Sequence, residues 1–457
     1  MSEALRTAAD LEEARRLAHR HLWLHFKPAV MPEDVPMIVR GDGCYLWDSE
    51  GRRYLDALSS LFAVNIGHGR TELAQAAFDQ ASELDFATVW WHPHPAAARL
   101  AGKVAELAPG DLNRVFFTSG GSEAVDSALK MVRQYHRITG RPRKTKVVAR
   151  RTSYHGTTYG ALSATGITGL REPYEPMVPG GVHVPNTNLY RLPPGVPVES
   201  LAESIVDAIE FEGPDTVAAV ILEPVQNAGG CIPAPPGYFQ RVREICDAYD
   251  VLMISDEVIG SWGRLGAWFG AGRFGYQPDI ITTAKGITSG YAPLGAAIVS
   301  DRIADAFGST NLFAHGFTFG GHPVATAVGL ANIELMEREG VIDNVLANEA
   351  AFRAALDGLR DIPIVGDVRG AGYFMAVEMV ARQSTGERFS RAVAAELTAF
   401  ITAEVFRRGV FCRAENRGDP VIQLAPPLIA GPEEFAEIVA VLRPLLEETS
   451  ERLGCRP

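Results

Sequence analysis

The sequence predicts an α/β fold: a large domain on a mainly parallel sheet flanked by helices, with a smaller α+β domain beside it. Two observations carry this prediction. From about Glu72 to Val299, short apolar runs alternate with longer helical patterns, as expected for strands buried on both faces and joined by helices. After Ile342 the pattern changes to long amphipathic helices around a few short strands. A β-rich opening segment, 37–64, is expected to pack on that second layer. The implied division is an N-terminal segment 1–70 belonging to the small domain, a large domain 71–330, and a C-terminal small domain 331–457.

In chain order, residues 1–20 read as an amphipathic helix rich in Ala, Leu, Glu and Arg. This helix lacks the apolar core and small-residue cleavage site of a signal peptide. Short extended runs follow at Met37, Cys44 and Arg53, separated by Gly-Asp-Gly and Ser-Glu-Gly turns. Strands of the large domain are expected at 115–118, 146–150, 217–222, 251–255, 280–283 and 295–299. Its helices are expected at 122–136, 201–211, 236–249 and 323–339. The Pro-rich stretch 191–198 is a surface connection. Beyond it, helices are predicted over 343–359, 390–408 and 432–452, with strands at 365–369, 373–379 and 421–424.

Composition narrows the class. The chain has 457 residues, enough for two or three domains, with 47% hydrophobic and 21% charged residues, as in soluble globular proteins. A net charge of −12 disfavours nucleic acid and anionic membranes as partners. Five scattered cysteines form neither a disulfide framework nor a metal motif, and no uninterrupted apolar stretch reaches the length of a membrane span. A cytoplasmic location is expected.

Chemistry concentrates where predicted strands end. Ile-Ser-Asp-Glu-Val-Ile (254–259) delivers Asp256, and Ile-Ile-Thr-Thr-Ala-Lys-Gly-Ile (280–287) delivers Lys285. Burying an amine favours its neutral or Schiff-base form, and an acid from a neighbouring strand suits a protonated pyridine ring. That is the logic of pyridoxal phosphate. Thr-Ser-Gly-Gly-Ser (118–122) ends a strand and opens a helix, so Gly121, Ser122 and the free amides could hold a phosphate; an ordinary turn with a Ser cap would read the same way. Tyr154, in Ser-Tyr-His-Gly, could stack on a flat ring or simply pack. Glu223 leaves an apolar strand at the same edge, and its alternative is pairing with a structural arginine. Gly-Phe-Thr-Phe-Gly-Gly-His-Pro (316–323) is a glycine-rich loop opening a helix at Pro323.

In this order and spacing, Ser-Gly-Gly-Ser-Glu-Ala, Tyr-His-Gly, Glu-Pro-Val-Gln, Asp-Glu-Val, Ala-Lys-Gly and Gly-Gly-His-Pro resemble the class III aminotransferases from Met37 to about Leu428. The resemblance implies pyridoxal phosphate fold type I with a mainly parallel seven-stranded sheet. It implies that Lys285 joins the cofactor through a Schiff base and moves the proton, and that Asp256 pairs with the pyridine nitrogen. Gly121 and Ser122 would bind phosphate, Tyr154 and Val258 would cover the two ring faces, and Glu223 would lie beside them. Phe317 and Thr318 would reach the cofactor of a neighbouring subunit, making the active unit a homodimer, with a tetramer possible. The reaction implied is ping-pong transfer through pyridoxamine phosphate, from an amine donor to an oxo acid.

Acceptor choice rests on departures from the family pattern. Members using 2-oxoglutarate with γ-aminobutyrate or ornithine resemble one another at Glu-Pro-Val-Gln-Gly-Glu-Gly-Gly, where the second Glu neutralises an arginine. This chain has Ala228 there, so the gate is expected to be missing. With Ile259 after Asp-Glu-Val, it looks more like the ω-amino acid or amine:pyruvate group, and pyruvate is the favoured acceptor. Phe62 and Trp90 would line an apolar slot. Arg413, or alternatively Arg417, would bind the acceptor carboxylate. A 2-oxoglutarate enzyme, a decarboxylating transaminase and an aminomutase share the same core motifs. A non-catalytic scaffold fits poorly with intact Lys285, Asp256 and Ser122. A nicotinamide dehydrogenase lacks its glycine fingerprint here.

Overall fold

The computed structural model describes residues 7–457. Seven strands form the central sheet: β1 (Leu112–Thr118), β2 (Lys146–Arg150), β3 (Gly181–Val184), β4 (Val217–Leu222), β5 (Leu252–Asp256), β6 (Ile280–Thr283) and β7 (Gly295–Ser300). Their order across the sheet is β1–β7–β6–β5–β4–β2–β3. Neighbours from β3 through β6 are parallel, whereas β7 runs antiparallel to both β6 and β1.

Side-chain alternation explains why these strands read as continuous apolar runs. Val148, Val220, Leu222, Met253 and Ile281 point into one hydrophobic cluster, shared with helices Ser200–Glu212, Tyr238–Ala248 and Pro323–Arg338. Val147, Ala149, Ala219, Ile221, Leu252 and Ile254 point into the other, against helix Gly121–Ile138. With both faces covered, both sets of alternate positions are mostly apolar, and polar residues such as Thr282 enter only near the strand ends. Strand β3 escaped sequence prediction because it lies at the sheet edge and is only partly covered. Its His183 donates to the Ala164 carbonyl at 3.1 Å instead of packing in the core.

Strands β1, β2, β4, β5 and β6 all end at one edge, at Thr118, Arg150, Leu222, Asp256 and Thr283. Strand β7 starts there, with Gly295 opposite Thr118. This carboxyl edge is where open α/β sheets bind ligands.

Both ends of the chain build the remaining layer. Helix Ala8–His21 starts at a Thr7–Asp10 capping box, and residues 1–6 of the expected helix lie outside the described residues. Strands Ile38–Asp42, Tyr45–Asp48 and Arg53–Asp56 form an antiparallel meander, and Val410–Phe411 joins it parallel to the third strand. A second sheet runs Val365–Ala371, Phe374–Met379, Val421–Leu424, Arg413–Glu415. The strands at 410–411 and 413–415 were not expected, being too short to show a period.

Arg264 fastens these parts together. It is fully buried and donates to the Tyr373 and Pro426 carbonyls, Ser59 Oγ and Asn65 Oδ1. Burial pulls its pKa down to about 9. Each buried acceptor left without a donor costs roughly 1–3 kcal/mol. Arg264→Leu is therefore expected to lower stability by about 3 kcal/mol or more, read as a fall in the urea midpoint. An unchanged midpoint would show that water replaces the guanidinium.

Candidate active site

A cavity of about 480 Å³ opens at the carboxyl edge of the sheet, lined by Gly121, Ser122, Tyr154, Glu223, Asp256, Val258 and Lys285 among others. Its volume suits a small flat ligand. One wall is the start of helix Gly121–Ile138, which has no side-chain cap. Its first amides and positive dipole end are therefore free for an anion. A Cβ at Gly121 would meet Val258 Cγ1 at 2.7 Å, so glycine here lets Val258 close over the helix end. Ser122 Oγ accepts from Thr157 N–H at 3.1 Å, leaving its own proton available.

Strand β5 ends in Asp256, whose buried carboxylate accepts three hydrogen bonds. His155 Nδ1 lies 2.7 Å from Oδ2, while Thr282 Oγ1 and Val258 N–H each reach Oδ1 at 3.2 Å. A carboxylate only accepts, so the imidazole proton sits on Nδ1. Nε2 of that ring is buried without a partner among the described residues. His155 thus spends its ring proton on Asp256 itself.

Glu223 is also at the edge, and burial raises its carboxyl pKa. It accepts from Tyr154 N–H at 3.2 Å and Asn227 N–H at 2.8 Å. The fully buried Arg150 donates to the Glu223 carbonyl, not to its carboxylate. Glu223 thus fixes the loop that carries Tyr154.

Strand β6 leads through Ala284 to Lys285, which adopts φ +49°, a left-handed conformation. That conformation costs an L-residue roughly 1–2 kcal/mol, held here by the turn that sends the chain back as β7. Burial drives the amine's pKa down to about 8; Asp256 and Glu223 pull it up, and Arg413 pushes it down. A substantial fraction is therefore neutral and nucleophilic near pH 8.

An "Aminotransferase class-III" family model matches residues 30–446. The chain belongs to the class III aminotransferases. It is 55% identical to a protein called a probable aminotransferase in Mycobacterium tuberculosis, covering 95% of this chain and 94% of that one. It is 40% identical to the putrescine–pyruvate aminotransferase of Pseudomonas aeruginosa, over 91% of each. A thermostable (S)-enantioselective ω-transaminase from Thermomicrobium roseum superposes with a TM-score of 0.89 at 39% identity, covering 95% and 98% of the two chains. The fold is accordingly that of fold type I transaminases.

In this aminotransferase the cavity brings together Gly121, Ser122, Tyr154, Glu223, Asp256, Val258 and Lys285. These residues fit pyridoxal phosphate: an uncapped helix end for the phosphate, a tyrosine and a valine for the ring faces, a buried carboxylate and a partly neutral amine. Other sequence-singled residues lie elsewhere. Phe62 is buried, 3% exposed, with its ring edge-on to Phe374 and the Arg413 guanidinium 5.6 Å from its centre. Trp90 is 57% exposed and donates to the Phe317 carbonyl at 3.2 Å. Thr318 is exposed in the same loop, and neither it nor Phe317 lines the cavity. Ala228 is buried, and its carbonyl accepts from Gln226 at 3.1 Å.

A carboxylate beside both arginines is supplied by Glu415, which sequence reasoning did not single out. Arg413 and Arg417 both pair with Glu415, on the strand Arg413–Glu415 and just after it. Arg417 also stands 5.7 Å from the centre of the Tyr154 ring. Ala228 carries no charge; the acid is Glu415, at the end of the strand that Arg413 begins. Alternation in Arg-Ala-Glu-Asn-Arg, which puts residues 413 and 415 on one strand face, was the available signal.

The lowered amine pKa has a direct consequence. In cofactor-free protein, the rate at which Lys285 captures an aldehyde, trapped with borohydride and read by mass spectrometry, should rise through about pH 8 and then level off. The sign follows from the neutral amine being the nucleophile. A rise centred near 10.5, the ordinary lysine value, would contradict the burial argument.

Proposed function

We propose that the chain is a pyridoxal phosphate-dependent ω-transaminase that moves an amino group from an ω-amino acid or primary amine to an oxo acid, with pyruvate favoured. The observation that carries this reading is the placement of Lys285, Asp256 and the uncapped end of helix Gly121–Ile138 around one cavity. Similarity to a putrescine–pyruvate aminotransferase supports the acceptor.

Gly121 and Ser122 would hold the phosphate, Tyr154 and Val258 would bracket the ring, and Asp256 would face its nitrogen. Bound there, pyridoxal phosphate supplies an aldehyde that captures amines and a cationic ring that withdraws electrons. Lys285 Nζ takes the proton from the donor carbon and returns it elsewhere, which its pKa near 8 allows in both directions. His155 Nδ1 fixes Asp256 so that the carboxylate keeps its place during that transfer. Donor and acceptor use the cavity in turn, giving ping-pong kinetics. Arg413 or Arg417 receives the acceptor carboxylate.

The active unit is read as a homodimer. Phe86, Val89, Trp90, Trp91 and Phe319 leave an exposed apolar patch around Thr318, and a second copy would cover it. Phe317 and Thr318 of each copy would then complete the other's cofactor cup. Residues 1–70 and 331–457 are taken as one small domain against the large domain 71–330.

Lys285→Ala should abolish transfer from every amine donor, measured by turnover. Asp256→Asn should lower kcat on the order of 10²-fold with the fold intact, measured by turnover and circular dichroism. With a common amine donor, kcat/KM for pyruvate should exceed that for 2-oxoglutarate by about tenfold or more, a difference of ~1.4 kcal/mol. A preference for 2-oxoglutarate would reverse the acceptor assignment.

A further inference from the structure

A second cavity, of about 640 Å³, opens at the outer end of the sheet's carboxyl edge, beyond β2 and β3. It shares no lining residue with the reaction cavity. Three parts of the chain meet there. Arg151 directly follows β2, and its N–H donates to the Val184 carbonyl at the end of β3 at 2.7 Å. Asn188 and Arg191 belong to the loop after β3. Arg388 precedes helix Arg391–Arg407, which Arg391 begins. Asp419 draws the last two parts together: Arg191 Nε lies 2.9 Å from its Oδ2, and Arg388 Nε donates to its Oδ1 at 2.7 Å.

The lining carries four arginines and one acid, in a chain whose net charge is −12. Asp419 is spent on Arg191 and Arg388, and Arg191 also pairs with Glu378, which leaves Arg151 and Arg391 without an ion pair among the described residues. Ser390 Oγ caps the helix by accepting from Val393 N–H at 3.3 Å, so the amides of Arg391 and Ala392 stay free. Asn188 is only 9% exposed, yet its Oδ1 is buried with no partner among the described residues. Leu192, Pro193 and Phe389 supply an apolar wall.

These features ask for one kind of occupant. Two unpaired guanidiniums beside free amides at a helix start match a phosphate. A phosphate monoester carries about −1.5 to −2 charge near pH 7, which balances the two arginines. A buried acceptor without a partner calls for a donor, which a hydroxyl on the ester's skeleton supplies. The apolar wall suits that skeleton, and a concave cavity suits a small molecule rather than a macromolecular surface. We propose that this cavity is a second binding site, for a small hydroxylated organic phosphate. Arg151, Arg391 and the first amides of helix Arg391–Arg407 hold the phosphate, and a hydroxyl donates to Asn188 Oδ1. The site is separate from the transfer reaction and does not depend on its acceptor.

Purified holoenzyme, freed of excess cofactor, would be titrated calorimetrically with glycerol 3-phosphate at about 0.15 M ionic strength, where contacts to exposed charges alone are screened. Saturable binding of one molecule per chain is expected, with no signal from glycerol. Arg151→Gln/Arg391→Gln should weaken that binding about tenfold or more and leave kcat for amine transfer unchanged. Asn188→Leu should weaken glycerol 3-phosphate more than inorganic phosphate; equal loss with both overturns the hydroxyl contact. Absence of saturable binding overturns the proposal. So does undiminished binding by the double variant, which would place the ligand in the reaction cavity. Tighter binding of malate, a hydroxylated dicarboxylate, than of glycerol 3-phosphate overturns the choice of phosphate. Should the double variant fail to fold, Arg391→Gln alone, at an exposed side chain, decides by the same comparison.

Discussion

Asp256 is a carboxylate placed where water scarcely reaches, and the site depends on its being fully supplied with hydrogen-bond donors. A buried charge without such partners would be neutralised or would destabilise the sheet. Its donors come from three places: the backbone two residues on, Thr282 of β6, and His155 in the loop after β2. Parallel pairing puts Thr282 beside Asp256 in register. Sheet register and active-site charge are therefore one condition, and a slip of one residue would remove a donor and turn the acid to the other face. The lowered pKa of Lys285 is set against this negative charge, which keeps burial from driving the amine lower still.

Much of this was legible because buried parallel strands leave a strong trace. In β4, β5 and β6, alternate side chains enter two different cores, so each run opens wholly apolar and turns polar as it nears the edge of the sheet. Glu223 follows directly on such a run, Asp256 closes β5, and Lys285 stands two residues beyond β6. What the rule missed follows the same physics. Strand β3 has one free edge, and residues 410–415 form pieces of two and three residues, too short for a period. Glu415, two residues from each arginine, was overlooked as their partner, and only its bond to Gly229, nearly 190 residues away in sequence, leaves no local trace.

Phe62 illustrates how a residue can be relevant to a site without lining its cavity. Sequence placed it in an apolar slot; its ring instead lies under Arg413 and against Phe374. Such a floor limits how far the guanidinium can sink and favours its charge over the ring face. Ser59, Ser60 and Phe62 all have positive φ, so the backbone beneath Arg413 is held in an unfavourable shape by its surroundings. Arg264 supplies part of that hold through Ser59 and Asn65.

The parallel pairing of Arg53–Asp56 with Val410–Phe411 ties the second strand's arrival to the end of synthesis. The large sheet, with Lys285 and Asp256 in place, needs nothing beyond Ser300 to complete its ladder. The opening meander, by contrast, waits for a strand made more than 350 residues later, and Arg413 follows two residues after that strand ends. On the ribosome, the strands that carry Asp256 and Lys285 into the cavity are thus synthesised well before the strand that carries Arg413.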